Sequence, residues 1–564
     1  MTEHYNLLDT PWLPVRLANG EVREMGLLEV FREAGCISAL AETEPPSVIA
    51  QYRLLLAITH RALLLEYGAW KDSGRLRWFR EGLPIDVVER YLERWRERFW
   101  LFHPQYPFMQ VAALASAAET CDKQKPWAQI SLASANGNTP VVFDHSYDLA
   151  PSAVSADRAL CALLGFLQFT PGGLVKTVRD SDKAGALANT AAVVPLADSL
   201  AKTLCLALHP ASGEAAFDLP AWEREALTIP QLAADPILAS GPNDRYTRQS
   251  RAVLLLPEEE GCVRWIRFAA GQALADDVQA PDPMASYRPG ANNSMVRLSF
   301  GEGRVFWRDL PSLLPDSAAA GSKRAAVLDW ASNLRSIGAD APSSMLLVAG
   351  LASDQAKLLR WRSETVVLPA ALLDSEGCAN ELRRCIRESG ILYGELRKIA
   401  VAMLAEALPD PASKDTWARA RTSFDNGPAA ATYFALLERS LPSLMALIGG
   451  DSLEMLDEAE AFWRSRLLAA LEVAWQGVRE GLGLSVAALR AEAKVRPRYL
   501  ALLRRYRSER TSSTPFRGAA CMSAAEHPFI GHLQRLQNDR GALAVLRRSL
   551  GFAPGALCTG LSLC

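Results

Sequence analysis

No two cysteines in this chain are spaced for a shared metal. The ten Cys stand at 36, 121, 161, 205, 262, 378, 385, 521, 558 and 564, with no Cys-x-x-Cys pair among them. A tetrahedral structural zinc site needs several such ligands, so no metal is expected, and the scatter reads as reduced cytosolic thiols, mostly core filler. Histidine is scarce, with seven in the chain. The one close pair, His527 and His532, has a spacing that does not share one side of a helix. There is no Gly-x-x-x-x-Gly-Lys-Ser/Thr loop, no His-Glu-x-x-His, no Gly-x-Ser-x-Gly elbow and no Rossmann glycine fingerprint. These absences count against a P-loop NTPase, a zincin, an α/β-hydrolase and a dinucleotide enzyme. Neither sign of charge dominates: 61 Lys and Arg face 63 Asp and Glu, for a net charge of −2. Any binding of nucleic acid must then come from local patches. Apolar runs such as 54–58 and 467–471 fall far short of the roughly 20 residues that span a bilayer, and the opening Met1-Thr2-Glu3-His4 has no signal-peptide pattern. The expectation is a cytoplasmic protein with no membrane partner, no cofactor and no catalytic centre. The alternative is a stand-alone soluble metabolic enzyme whose site is assembled from dispersed residues.

What is present suits a globular chain of two or more domains: 564 residues, 49% hydrophobic and 22% charged. The first 30 residues read as strands, 13–17 and then 22 onward, around an Asn19-Gly20 turn. Helical spacing of apolar residues follows over 48–67 and 86–99, and again over 156–168. Segment 104–150 is rich in loop residues, and the region to about 370 is mixed, with strand-like runs at 252–256, 263–268 and 345–349. Beyond about 375 long amphipathic helices take over, at 379–408, 428–448, 452–480 and 485–507, with Pro442 and Pro497 expected to kink two of them. The fold class is therefore α+β: a large mixed N-terminal domain with irregular loops over 1–374, then an antiparallel four-helix bundle over 375–510. Residues 511–564 read as a polar linker followed by one more amphipathic helix, 527–550.

Two local patches carry positive charge. Between Arg490 and Arg517 nine basic residues, Arg504 and Arg505 among them, face two acidic ones, with Tyr499 and Tyr506 interleaved. Such a patch neutralises backbone phosphates, or it is a solvated helix end whose arginines pair with Glu454, Asp457, Glu458 and Glu460; both readings stay open. The second patch, Lys176, Arg179 and Lys183, follows Pro171-Gly172-Gly173. Without a Cβ the two glycines let backbone amides approach a ligand closely; the alternative is an ordinary turn after a helix.

Six segments, in order, resemble the large subunit of the type I-E CRISPR surveillance complex, Cascade. The first is Asn6-Leu7-Leu8-Asp9-Thr10-Pro11-Trp12-Leu13-Pro14-Val15. Tyr106-Pro107-Phe108-Met109-Gln110 is similar to the family's His-Pro-Phe-Met-Gln segment, with Tyr for His. Asn138-Thr139-Pro140-Val141-Val142-Phe143-Asp144-His145 sits where the family has its first DNA-facing loop. The segment from Ala159 to Leu164, running on to Pro171-Gly172-Gly173, resembles its helix and glycine loop. Pro281-Asp282-Pro283-Met284-Ala285-Ser286-Tyr287-Arg288 resembles another recurring segment, and Gly350-Leu351-Ala352-Ser353-Asp354-Gln355-Ala356 resembles the hairpin of the glutamine wedge.

The resemblance implies a non-catalytic subunit that recognises the protospacer-adjacent motif of double-stranded target DNA from the minor groove, where the base code is degenerate. It implies Gly172 and Gly173 as the glycine loop, Gln355 as the wedge that helps open the duplex, and Phe143, Asp144 and His145 on the first loop. Guide pairing then reads the sequence and completes the R-loop. The implied partners are the crRNA-containing Cascade subunits, including the small subunits, and a recruited helicase-nuclease. The family's lysine finger has no lysine match here; Arg288 and Arg267 are the candidates. Segment 533–554 resembles the start of the Cascade small subunit, as a natural fusion or a family-specific C-terminal helix, and the closing 557–564 run resembles neither subunit, which points to truncation or a frame shift.

Overall fold

One buried helix and one short strand organise the N-terminal region. The helix, Pro45–Tyr67, starts with two prolines in its first turn, where a missing N–H costs nothing, and stops at Gly68 in the left-handed region. It is buried on all sides from Pro45 to Leu64. By length and composition it is apolar enough to cross a membrane, unlike the short runs picked out in the sequence, yet it is the core helix of this fold and almost wholly covered. The computed structural model describes residues 5–508 except 135–143, 145–147, 174, 176, 181, 212–215, 278–279, 292–293, 302, 317–321, 340–342, 355–356 and 451. The calls at 511–564 lie outside the described residues.

The sheets are small and antiparallel. Leu13–Leu17 is the centre of a three-stranded sheet between Val22–Met25 and Ile37–Leu40. Arg251–Pro257 and Val263–Ala270 pair in a second, edged by Lys125–Pro126. In the third, the long hairpin Ser343–Asp354 and Lys357–Pro369 takes Ala191–Leu196 as its other edge. Tyr287–Pro289 and Met295–Arg297 form a short hairpin. The α+β reading holds.

Two buried charges fix the core helix in place. Arg53 and Asp282 form an ion pair with both side chains 0% exposed. Arg53 also donates to Gln168 Oε1 at 2.8 Å, and Asp282 accepts from the Met284 amide at 3.0 Å. Burial by itself raises the Asp282 pKa, but the charges of Arg53 and Arg245 outweigh it and hold the carboxyl below its usual range. Asp282 belongs to the matched 281–288 segment, so that segment is tied to the core rather than free on the surface.

The C-terminal region is helical, and three of the four expected helices are there while the one expected over 428–448 is split. Glu376–Ala407, Leu453–Leu482 and Val486–Ser508 are long. Between the first two lie three short helices, Lys414–Asp425, Ala429–Glu438 and Leu441–Gly449. Pro442 does not kink a continuous helix: it stands in the first turn of a new one, where proline is welcome. Pro497 does lie inside Val486–Ser508. The described residues up to Leu503 form one compact unit.

Trp463 seals the helical region against the mixed one. It is buried, donates its indole N–H to Cys385 O at 2.9 Å and meets Trp307 edge-on at 6.3 Å. Trp463→Ala is expected to cost about 3–5 kcal/mol, because both transfer energy and a cavity are lost. Chemical denaturation followed by tryptophan fluorescence reads that loss directly.

Candidate nucleic-acid interface

The glycine loop begins where the helix Ala156–Phe169 must stop. Gly165 of that helix packs so closely on the core helix that a Cβ would lie 2.7 Å from Ser47 Oγ. Thr170 closes the last turn by donating its amide to Phe166 O, and Pro171 cannot continue it. Gly173 then pairs with Asp182 in both directions, its amide to Asp182 O at 3.2 Å and the Asp182 amide to its own O at 2.9 Å. Gly185 N donates to Thr170 O and Leu187 N to Gln168 O, each at 2.8 Å. Gly185 has no choice of residue: a Cβ there would sit 2.5 Å from Gln168 O. On Gly172 it would meet Ala184 N at 3.3 Å, a tight contact.

Inside this pinch lies the buried carboxylate of Asp182. It takes Arg179 Nη2 at 2.5 Å, Arg251 Nη1 at 2.8 Å, and the amides of Lys183 and Gly271 at 2.9 Å. Arg251 opens its strand and donates on to Pro171 O at 2.6 Å and Lys183 O at 2.7 Å. Burial pulls the Arg251 pKa below its usual range, and the charge of Asp182 opposes that shift. Val178 has a φ of 75°, a left-handed conformation that a β-branched residue rarely adopts. It is held there by packing on the cluster of Val111, Leu114, Leu232, Ala252 and Ala269.

The basic patch after the glycines is therefore not three equal cations. Arg179 is spent on Asp182 and on Gly271 O, Lys183 is exposed, and Lys176 lies outside the described residues. Neither Asp182 nor Arg251 was singled out in the sequence. The available signal was an acid inside a basic stretch, Arg179-Asp180-Ser181-Asp182-Lys183.

The strand Ala191–Leu196 gathers three of the matched segments. The chain returns from the glycine loop past the helix end, at Gly185 and Leu187, before it enters this strand. On one edge it pairs with the hairpin strand, Ala191 opposite Gly350. Gly350 comes so near the loop's exit that a Cβ would be 2.1 Å from Thr190 O and 3.2 Å from the Phe169 ring. On the other side Val193 N donates to Met284 O at 2.9 Å and Ala192 bridges Ala285. The hairpin strands stay paired as far as Asp354 and Lys357. Gln355 itself lies outside the described residues, as do Phe143 and His145; Asp144 is half-buried.

The two finger candidates separate. Arg288 is 45% exposed, 3.8 Å from Asp309, and belongs to the segment beside this strand. Arg267 stands in the other sheet, half-buried, and donates to Thr120 O at 2.8 Å. Arg504 and Arg505 are exposed on the last turns of Val486–Ser508, Arg505 lying 5.8 Å from the Tyr506 ring. Of the acidic partners proposed for that patch, Glu460 is engaged elsewhere, by Arg384 and Arg464, while Lys494 meets Glu406 at 2.7 Å. No group of three or more His, Cys, Asp or Glu among the described residues is placed to hold a metal ion.

Comparison with known proteins finds both a family and a fold that match. The family described as CRISPR-associated protein Cse1 matches residues 6–474. The CRISPR-associated protein CasA/Cse1 of Thermus thermophilus is 32% identical over 504 residues, covering 87% of this chain and 96% of that protein. The solved structure of Thermus thermophilus CasA (Cse1) superposes with a TM-score of 0.75 at 29% identity, over 89% of this chain and all of that one. A chain of a CRISPR RNA-guided surveillance complex shares the fold, with a TM-score of 0.68 at 23% identity over 90% of this chain and 99% of its own.

Proposed function

This chain belongs to the Cse1 family, the non-catalytic large subunit of the type I-E Cascade surveillance complex, and on that premise we propose that it reads the protospacer-adjacent motif in double-stranded DNA. In this reading it is the cytoplasmic subunit of an RNA-guided complex. The glycine loop at Gly172 and Gly173 lies along the minor groove and Gln355 enters the base stack at the first pair. Phe143, Asp144 and His145 flank the groove, and Arg288 takes the place of the finger ahead of Arg267. Arg504 and Arg505, with Lys176, contribute charge toward the backbone. The opened duplex passes to guide pairing, and the helicase-nuclease is recruited afterwards.

The observation that carries the reading is the convergence on Ala191–Leu196. The segment returning from a loop able to approach a groove enters the strand that pairs with a hairpin able to end in a wedge, so the fold ties the two together. A base step costs a few kcal/mol to unstack, and a wedge offsets part of that cost.

Gln355→Ala is expected to slow opening of a motif-bearing duplex by the assembled complex about tenfold, equivalent to ~1.4 kcal/mol of that offset. The fold and complex assembly stay unchanged. Fluorescence of 2-aminopurine beside the motif follows the opening. Normal opening by the variant removes Gln355 from the role, and equal affinity of the parent complex for motif-bearing and motif-free duplexes rejects motif reading altogether.

A further inference from the structure

Among the described residues, an excess of arginine charge stands beside the middle of the hairpin. Arg304 grips the buried carboxylate of Asp309 with two bonds of 2.8 and 2.9 Å, and Arg288 shares the same carboxylate. Arg304 also donates to Arg308 O at 3.3 Å. Arg362, on the hairpin's second strand, donates to Arg304 O at 2.9 Å, pairs with Glu364 and lies 5.3 Å from the Phe300 ring. The Arg308 guanidinium lies 3.8 Å over the Phe434 ring and, among the described residues, has no carboxylate in ion-pairing range. Among the described residues, three of the four arginines thus share two carboxylates, and Arg308 has none.

The neighbouring seam shows the contrast. Arg324 has Asp329, Arg335 has Asp374 and Arg383 has Asp316, one acid for each. Burial, and after it the like charge of Arg304, lower the Arg308 pKa. A cluster that keeps like charges together, each guanidinium fixed by a ring or a carbonyl, is preorganised for an anion, and planar forks suit phosphate oxygens. Its place also suits a duplex. Arg362 is opposite Gly350, and the strands remain paired for four more residues to Asp354. That is about 13 Å along a strand, or about four base-pair steps of a duplex.

We propose that Arg304, Arg308 and Arg362 form a phosphate clamp on the backbone of the target duplex, a short way from where it is opened. The inference rests on the DNA-reading function proposed above, and it assigns these three residues to affinity rather than to base recognition.

The test uses the assembled complex, with Arg304 left in place so that Asp309 keeps its partner. Arg308→Gln combined with Arg362→Gln is expected to lower the slope of log affinity against log salt by about 1.8, since each phosphate contact contributes about 0.9. Between 50 and 200 mM salt the parent complex then loses about 12-fold more affinity than the variant. Motif-bearing and motif-free duplexes are affected alike, and Arg308→Lys with Arg362→Lys keeps the slope. An unchanged slope in the Gln variant overturns the clamp. So does a loss confined to the motif-bearing duplex, which is base reading, or a loss of retained crRNA with DNA binding unaltered, which is an RNA contact. Because the slope is measured on either duplex, a parent complex that fails to prefer the motif rejects the motif reading without deciding the clamp.

Discussion

Replacing Asp182 by alanine is expected to destabilise the protein by about 3–5 kcal/mol, the range for stripping the partner from a buried charge. It is also expected to erase the preference for motif-bearing DNA that we propose for the complex. The energetic part follows from what the carboxylate neutralises. Arg251 is buried and Arg179 nearly so, and both lose their counter-charge together. The amides of Lys183 and Gly271 lose their acceptor in the same step. The functional part follows from what the same group holds. Asp182 is the residue that Gly173 pairs with, and Arg251 clamps the carbonyls of Pro171 and Lys183 on either side of the glycines. With that clamp loose, the backbone at Gly172 and Gly173 is no longer held in place. Asp182→Asn keeps the shape and some of the hydrogen bonds, so it should fall between the two proteins. Urea denaturation measures the first effect, and the ratio of affinities for the two duplexes the second. A folded Asp182→Ala complex that still prefers the motif would show that the loop does not depend on its anchor.

The dependence on Asp182 also explains what the sequence could and could not disclose. Local patterns were readable. The strand Leu13–Leu17, the core helix and the helix that ends before Pro171 all follow from periodicity and punctuation. The two glycines could be recognised as a place for close approach. Partners brought from far along the chain could not. Arg251 looks like the first residue of an ordinary strand, and Arg179 looks like one member of a basic patch, until the fold turns both onto one carboxylate. Arg304, Arg308 and Arg362 fall in three unremarkable contexts for the same reason. The split of the expected 428–448 helix is a different failure. Pro442 was visible, but its spacing alone does not distinguish a kink from a fresh first turn. Asp282 shows a third: a residue of a matched segment is bound to Arg53 in the core, a pairing that no local pattern discloses.

Mild acid is expected to unfold this protein unusually early, through His60 and His209. Their rings stack at 3.5 Å, both buried, between Trp70 on one side and Tyr246 and Trp330 on the other. His60 Nδ1 meets the Asn243 amide nitrogen at 2.9 Å, and among the described residues neither nitrogen of His209 has a hydrogen-bond partner. The Asp218 carboxylate stands 4.0 Å from His209, too far to bond, and Arg61 and Arg75 add like charge. Burial, then Arg61, lowers the His60 pKa from 6.5 to about 3; burial, then His60 itself, lowers that of His209 well below its usual range. The sign is fixed by these directions. Above about pH 6.5 both rings are neutral folded or unfolded, and the stability is whole. Below it the unfolded chain binds two protons that the native state refuses, so stability falls as pH falls. From pH 7 to pH 5 each ring accounts for about 2 kcal/mol, hence about 4 kcal/mol for the pair. Asp218 works the other way, because burial raises its pKa and it gains protons in the native state as pH drops, offsetting part of the loss. His209→Leu is expected to halve the pH dependence between 6.5 and 5, removing about 1.1 kcal/mol per pH unit. Denaturation curves across that window decide the matter. A variant as acid-labile as the parent would move the source of the lability away from the stacked pair, since no other change is made where the protons would have to enter.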